Sequence, residues 1–177
     1  MVYFKEEQRF NQWWMWAIII PVVTGMVLLC IHKLNEWLTI DESVPDGMAV
    51  EWRILIIILG LILTLAIAFG IFKAKLETQI KDNAIKYRFI PFIFKWRKIK
   101  PEDIKDWQVR TYSPITEYGG WGVRFTFGNS RAVNVKGNKG LQLHLISGKK
   151  LLIGTQKPKE IELVMEKMMT VKKESYG

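Results

Sequence analysis

Two stretches of the chain, Trp13 to Ile31 and Ile54 to Phe72, carry no charged residue, and nothing else in the sequence restricts the fold as severely. Each covers 19 residues. At ~1.5 Å of rise per residue, an α-helix of that length nearly crosses a hydrocarbon core of roughly 30 Å. The runs are therefore expected to form two transmembrane helices, at about 13–32 and 54–72.

Leu, Ile and Phe dominate the second run. Each favours insertion by on the order of 0.5 kcal/mol, and together they supply roughly 6 kcal/mol. The first run is interrupted by Pro21, Thr24 and Gly25, but Trp13, Trp14 and Trp16 form the aromatic belt expected at a membrane edge. A cleaved signal peptide is the alternative for this run. No small-residue cleavage site follows Ile31, and the flank HKLNEW is unsuited to one, so two spans are preferred.

The charges orient the spans. The connector from Lys33 to Arg53 holds two basic and five acidic residues, whereas the chain from Lys73 onward holds 22 basic and 10 acidic ones. The excess of positive charge is expected inside, so both termini face the cytoplasm and the acidic connector 33–53 lies outside. The expected organisation is a membrane anchor over 1–72 and a cytoplasmic domain over 73–177, in a multi-pass protein of the cytoplasmic (inner) membrane. The one cysteine, Cys30, lies in the first run. An intrachain disulfide, a thiolate metal cluster and CxxC chemistry are thereby excluded, and Cys30 reads as a small apolar residue or a lipidation site.

Past Phe72 the pattern changes to period two. Leu76, Thr78 and Ile80 share a face, Asp82 and Asn83 mark a turn, and Ile85, Tyr87 and Phe89 alternate with Lys86 and Arg88, which is a hairpin signal. Pro91 and Pro101 bracket an expected extended segment, followed by a short turn of helix at Pro101 to Ile104. Further strands are predicted at 107–112, 122–127, 131–136, 141–146 and 150–153. Their expected inward residues are Trp107 with Val109, Val123 with Phe125 and Phe127, Val133 with Val135, and Leu141 with Leu143 and Leu145. The last segment carries Pro158 near a helix start and Ile161, Val164, Met165 and Met168 on one stripe, with Lys172 and Lys173 suited to a helix C-terminus.

The expected fold is thus a membrane α-hairpin plus an α+β domain, in which a seven-strand bent sheet or barrel is capped by a C-terminal helix. That count and order resemble the pleckstrin-homology (PH) fold. The two spans together with DNAIKYRFIPF, IKDWQVRTYSPI, EYGGWGVR, GNKGLQL and GKKLLIGTQKP resemble a family of small bacterial membrane proteins with a bacterial PH-like domain. The resemblance covers nearly the whole chain and implies a fold more than a function, since that family has no assigned reaction and no assigned catalytic residues.

Between the strands at 107–112 and 122–127 lies SPITEYGGWGVRF. It is no phosphate loop: Phe125 stands where a dinucleotide fingerprint needs glycine, and no GxxxxGK[ST] occurs. One reading is a turn in which Gly119 and Gly120 take positive φ, Gly122 permits a bulge, and Trp121 tucks over the barrel edge. The sharper reading is a recognition edge for a protein partner, carried by Tyr112, Tyr118, Trp121 and Arg124, with Arg110 and Glu117 nearby, because aromatics with arginine make interface hot spots.

A membrane-surface set is expected in Lys73, Lys75, Lys86, Arg88, Lys95 and Arg97, drawn to anionic lipid headgroups at about 1 kcal/mol each. Lys81, Lys86 and Arg88 loosely match a phosphoinositide pattern, but the turn is short for wrapping a headgroup. Gly60, Thr64 and Ala68 recur every four residues and favour helix packing, within the hairpin or between copies.

Chemistry is sparse. His32, at a helix end, and His144, on the outward face of a strand, are not read as metal ligands, so no metal or cofactor is expected. Asp103 and Asp106 read as turn and capping residues. An enzyme would require Glu117, His144 and a serine to converge in a pocket. The positive charge is scattered and finds a sufficient reason in the bilayer, so no nucleic-acid partner is expected. The expectation is a non-enzymatic, membrane-anchored binding or scaffolding protein; the alternative is an oligomeric membrane protein with a channel or transport-accessory role, although neither span has an ionisable residue in its middle.

Overall fold

The computed structural model describes residues 2–10, 13–39, 50–81, 84–126 and 128–176. In chain order the elements are β1 (Val2–Arg9), α1 (Trp13–Thr39), α2 (Val50–Lys73), β2 (Lys75–Lys81), β3 (Ala84–Ile90), β4 (Ile93–Ile99), a 3₁₀ turn (Pro101–Asp103), β5 (Ile104–Thr111), α3 (Pro114–Tyr118), β6 (Gly122–Thr126), β7 (Ser130–Asn134), β8 (Lys139–Leu145), β9 (Lys150–Gly154) and α4 (Pro158–Tyr176). They form two compact units, one of Met1–Phe10 with Lys73–Gly177 and one of Asn11–Phe72.

The helical unit contains two helices long and apolar enough to cross a membrane, with cores at Trp16–Glu36 and Leu55–Lys73. α1 runs past the uncharged stretch to Thr39, so the first part of the acidic connector is helical. There Lys33 pairs with Glu36 one turn later, at 2.5 Å. The connector's middle, and the side chains of Trp13 and Trp14, lie outside the described residues. Trp16 meets Phe72 edge to face at 6.0 Å.

In the other unit, β1 to β4 form one sheet in chain order, every neighbour antiparallel. Its inner face carries Phe4, Leu76, Ile80, Ile85, Tyr87 and Phe89, all buried. β2 and β3 are the expected hairpin, joined by the two positions of Asp82 and Asn83, which lie outside the described residues. The expected extended segment after Pro91 is β4, the fourth strand of this sheet.

β1 was not anticipated. Among the described side chains its inward residues are Phe4, Glu6 and Gln8, of which only Phe4 is apolar. What holds it is polar. The Thr155 hydroxyl donates to Glu6 Oε2 and the Gln156 N–H to Glu6 Oε1, both at 2.7 Å. The Gln8 amide donates to the Gly154 carbonyl at 2.7 Å. Hydrogen bonds to a buried charge are worth on the order of 1.5–3 kcal/mol each, enough to compensate for a weak apolar pattern. The first ten residues thus fold with the β-rich unit, and the two helices are an insertion between adjacent strands whose ends pair, Arg9 with Lys75.

The remaining strands make a second sheet in the order β5-β8-β9-β7-β6, antiparallel except for the β7–β9 pair. Its inner face adds Val133, Leu141, Leu143, Leu151 and Ile153 to a core shared with the first sheet. α4 lays Ile161, Met165 and Met168 into the same core. Burying each such side chain is worth roughly 1.5–3 kcal/mol, so this stripe rather than helix propensity holds α4.

The architecture is α+β with a C-terminal helix, as expected, but the expected seven-strand bent sheet or barrel is instead two sheets of four and five strands that do not close into a barrel. The outermost strands, β1 and β4 in one sheet and β5 and β6 in the other, do not hydrogen-bond across the gap. Between β4 and β5 the 3₁₀ turn at Pro101 redirects the chain, so the two strands enter different sheets. A second correction concerns Phe125, expected inside but 67% exposed. It sits on the edge strand β6, beneath the Arg131 guanidinium at 4.4 Å. Phe127 lies outside the described residues.

Candidate functional site

The loop after β5 folds back over the outer face of the five-stranded sheet. Pro114, whose fixed φ suits a first helical position, opens the one-turn helix α3. Gly119 ends it in the left-handed region, at φ 70°, with its N–H donating to the Ile115 carbonyl at 2.8 Å. Gly120 follows at φ 118° and donates to the Pro114 carbonyl at 2.8 Å. A side chain would strain either position, which is why two glycines are adjacent here.

Tyr112 and Tyr118, expected at a protein-contact edge, are instead 3% and 6% exposed. With Ala132 and Leu152 they make a second, small core on the sheet's outer face. Their rings meet edge to face at 5.9 Å, and the Tyr112 hydroxyl accepts from Asn134 Nδ2 at 2.9 Å. The sheet makes room for Tyr112 with two glycines paired across β8 and β9. A Cβ at Gly140 would lie 3.2 Å from the Tyr112 ring, and one at Gly154 would lie 2.9 Å from Asn134 Cβ and 3.5 Å from the Tyr112 hydroxyl.

Trp121 and Arg124 remain at the surface. Trp121 is half-buried, its indole N–H donating to the Gly137 carbonyl at 3.2 Å. Arg124 is exposed, and its Nε donates to the Trp121 carbonyl at 3.0 Å. Of the four expected contact residues, two therefore support the loop from inside and two edge it.

Arg110 is the hub of the polar part. Its guanidinium bonds both Glu117 oxygens, at 3.3 and 2.7 Å, the Tyr118 hydroxyl at 3.2 Å and Gln142 Oε1 at 3.2 Å. Glu117 Oε1 also accepts the Ser113 N–H at 2.7 Å. The bond from Arg110 holds the Glu117 carboxyl below its ordinary range against some desolvation, and Glu117 in turn raises the Arg110 pKa. Burial pushes the Tyr112 phenol up.

Arg110, Glu117, Tyr118 and Gln142 border a polar groove of about 620 Å³, which His144, Ser130 and Lys150 also line. Glu117, His144 and a serine do share this groove, but Glu117 is committed to Arg110. Among the described residues His144 hydrogen-bonds neither Glu117 nor Ser130, so no nucleophile and base are joined. No group of three His, Cys, Asp or Glu side chains with metal-site geometry occurs among the described residues.

The basic set divides. Lys75 and Arg88 both pair with Glu77, at 2.5 and 2.7 Å, and Lys75 also reaches Glu7. Burial opposes the Glu77 charge, yet the bonds from Lys75 and Arg88 outweigh it and keep its pKa low. Arg88 further stacks on Trp96 at 4.7 Å. Lys86, Lys95 and Arg97 make no ion pair among the described residues, and Lys73 ends α2. Sequence reasoning missed Phe92 and Phe94, which are 73% and 66% exposed. Phe92 lies in the β3–β4 turn and Phe94 just beyond it, at the end of the sheet where Lys75 pairs with Ile90. Two exposed aromatics around Pro91 were the available signal.

In the helical unit a Cβ on Gly60 would lie 3.0 Å from Met26 Cε on α1, so the small-residue stripe faces its own hairpin partner. The Thr64 hydroxyl donates to the Gly60 carbonyl at 2.8 Å, and Thr64 and Ala68 line an apolar cavity of about 250 Å³ with Ile18 and Val22.

Residues 4–172 match a family model described as a family of unknown function (DUF6141), and the chain belongs to that family. No curated protein and no solved structure matches it.

Proposed function

We propose that this member of the DUF6141 family is a non-enzymatic, membrane-anchored binding or scaffolding protein that presents a PH-like module at the cytoplasmic face of the inner membrane. The observation that carries the reading is the pairing of β1 with β2. The strands on either side of the helical hairpin belong to one sheet, so the chain leaves and returns on one side, as two crossings require. A cleaved signal peptide would remove β1 together with the Glu6 and Gln8 bonds to the end of β9 and the start of α4.

Two facing sheets with a C-terminal helix in their common core support the PH-like assignment; the N-terminal strand and the parallel β7–β9 pair are departures from it. The protein-contact edge is Trp121 and Arg124 on the rim of β6. The membrane-facing surface is Phe92, Phe94 and Lys95, an aromatic tip beside a cation, which suits an interface where amphipathic groups gather.

The test is a pair of labelling experiments in cells. Tags at residues 1 and 177 are expected to be accessible from the cytoplasm and a label at Ser43 from outside; tags on opposite sides would overturn the anchor. A photoreactive residue at Trp121 is expected to yield a discrete protein adduct. Lipid adducts alone would restrict the module to the membrane surface.

A further inference from the structure

A second groove, of about 520 Å³, opens between the edges of the two sheets, lined on one side from β3 and β4 and on the other from β6 to β9. Its size falls within the roughly 300–1,000 Å³ of small-molecule sites. Arg97, Arg131, Lys149 and Lys150 line it, and no acidic residue does. None of the four forms an ion pair among the described residues. Four unneutralised cations around one concavity focus a positive potential into it, which favours an anion.

The walls are of the opposite character. Tyr87, Ile99, Leu145 and Leu151 contribute apolar surface, and Phe125, held outward under Arg131, extends it to the rim. Tyr87 is only 4% exposed, yet its hydroxyl hydrogen-bonds no described residue. The hydroxyl is not among the fully buried side-chain atoms, so it opens onto the groove and is available to a ligand as donor or acceptor. The groove runs from Tyr87, paired with Arg97, toward Ile99, paired with Ile85.

We propose that this groove binds an organic anion with an apolar body, its charge held by Arg97, Arg131, Lys149 and Lys150 and its body laid against Tyr87, Ile99 and Leu151. The module then has a small-molecule site separate from its protein-contact edge. The exposed Phe125, unfavourable for a bare edge strand, becomes part of the wall.

The probe is 1-naphthyl phosphate, titrated calorimetrically into the full chain in neutral phosphatidylcholine nanodiscs, with empty nanodiscs as blank and inorganic phosphate and 1-naphthol as comparators. One saturable site per chain is expected, weakened by added salt and at least about tenfold tighter than for either comparator. Arg131→Gln with Lys150→Gln, both outside the buried core, is expected to weaken binding by at least about tenfold while the melting temperature holds. Tyr87→Phe should weaken it severalfold. The proposal is overturned by absence of saturable binding, by inorganic phosphate binding as tightly as the probe, or by binding that survives removal of the charges.

Discussion

Arg110 and Glu117 stand seven residues apart and form the bidentate pair that pins α3 to the sheet, at 2.7 Å for its shorter bond. Their side chains are 26% and 37% exposed, so the pair is worth no more than the ~1 kcal/mol of surface ion pairs. Its pH dependence has a definite sign. Glu117 is held below its unfolded pKa, chiefly by Arg110, so its contribution is present above the ordinary carboxylate range and fades as pH falls through the lowered value. Glu117→Gln is expected to melt below the native protein by a constant margin above about pH 5, and the margin should close in more acidic solution. A margin that persists in acid would show that the shape of the side chain, not its charge, matters. The sequence placed Arg110, Glu117 and Tyr118 near one another but not Gln142 on the same guanidinium, because β8 brings Gln142 there only after the sheet forms.

At the level of elements, β5 and β8 were readable because Trp107 with Val109, and Leu141 with Leu143 and Leu145, repeat with period two, and α4 because Ile161, Met165 and Met168 repeat at helical spacing; in β6 the same period misplaced Phe125, which faces out. The outer-face core of Tyr112, Tyr118, Ala132 and Leu152 was not readable. It draws single residues from four elements or their ends, and two of its supports, Gly140 and Gly154, matter for what they lack. Gly154→Val is expected to destabilise by about 1–3 kcal/mol, since the new side chain meets Asn134 Cβ and backbone within contact distance. The loss would register as a lower melting temperature together with faster proteolysis within residues 113–121. Unchanged melting would mean that Tyr112 does not rest on these strands. The aromatics of this loop therefore divide by role: tyrosines hold the turn, and Trp121 with Arg124 face outward.

For the whole molecule, the decisive contact joins the chain's beginning to its far end. Glu6 bonds Thr155 and Gln156, and Gln8 bonds Gly154, across sequence separations of 146 to 150 residues. Glu6→Ala leaves the Thr155 hydroxyl and the Gln156 N–H without their acceptor, a cost of about 1–3 kcal/mol each where water cannot replace it. The variant is expected to expose β1 and the start of α4 to hydrogen exchange while leaving the helical unit protected. Exchange confined to residues 1–10 would show that α4 is held independently of β1.

The lengths of the two apolar runs and the periods of the strands and of α4 were determined by the sequence alone. Hydrocarbon thickness and burial of one face act on neighbours within a single element, and such constraints leave a local pattern. Tertiary structure alone decided that residues 2–9 form a strand, that Tyr112 and Tyr118 turn inward, that Glu77 pairs with both Lys75 and Arg88, and that four cations without an ion pair among the described residues line the groove at Tyr87. Each of these depends on a polar group finding its partner, or escaping one, on another element, and the free energy of that meeting is set by geometry that no local pattern encodes.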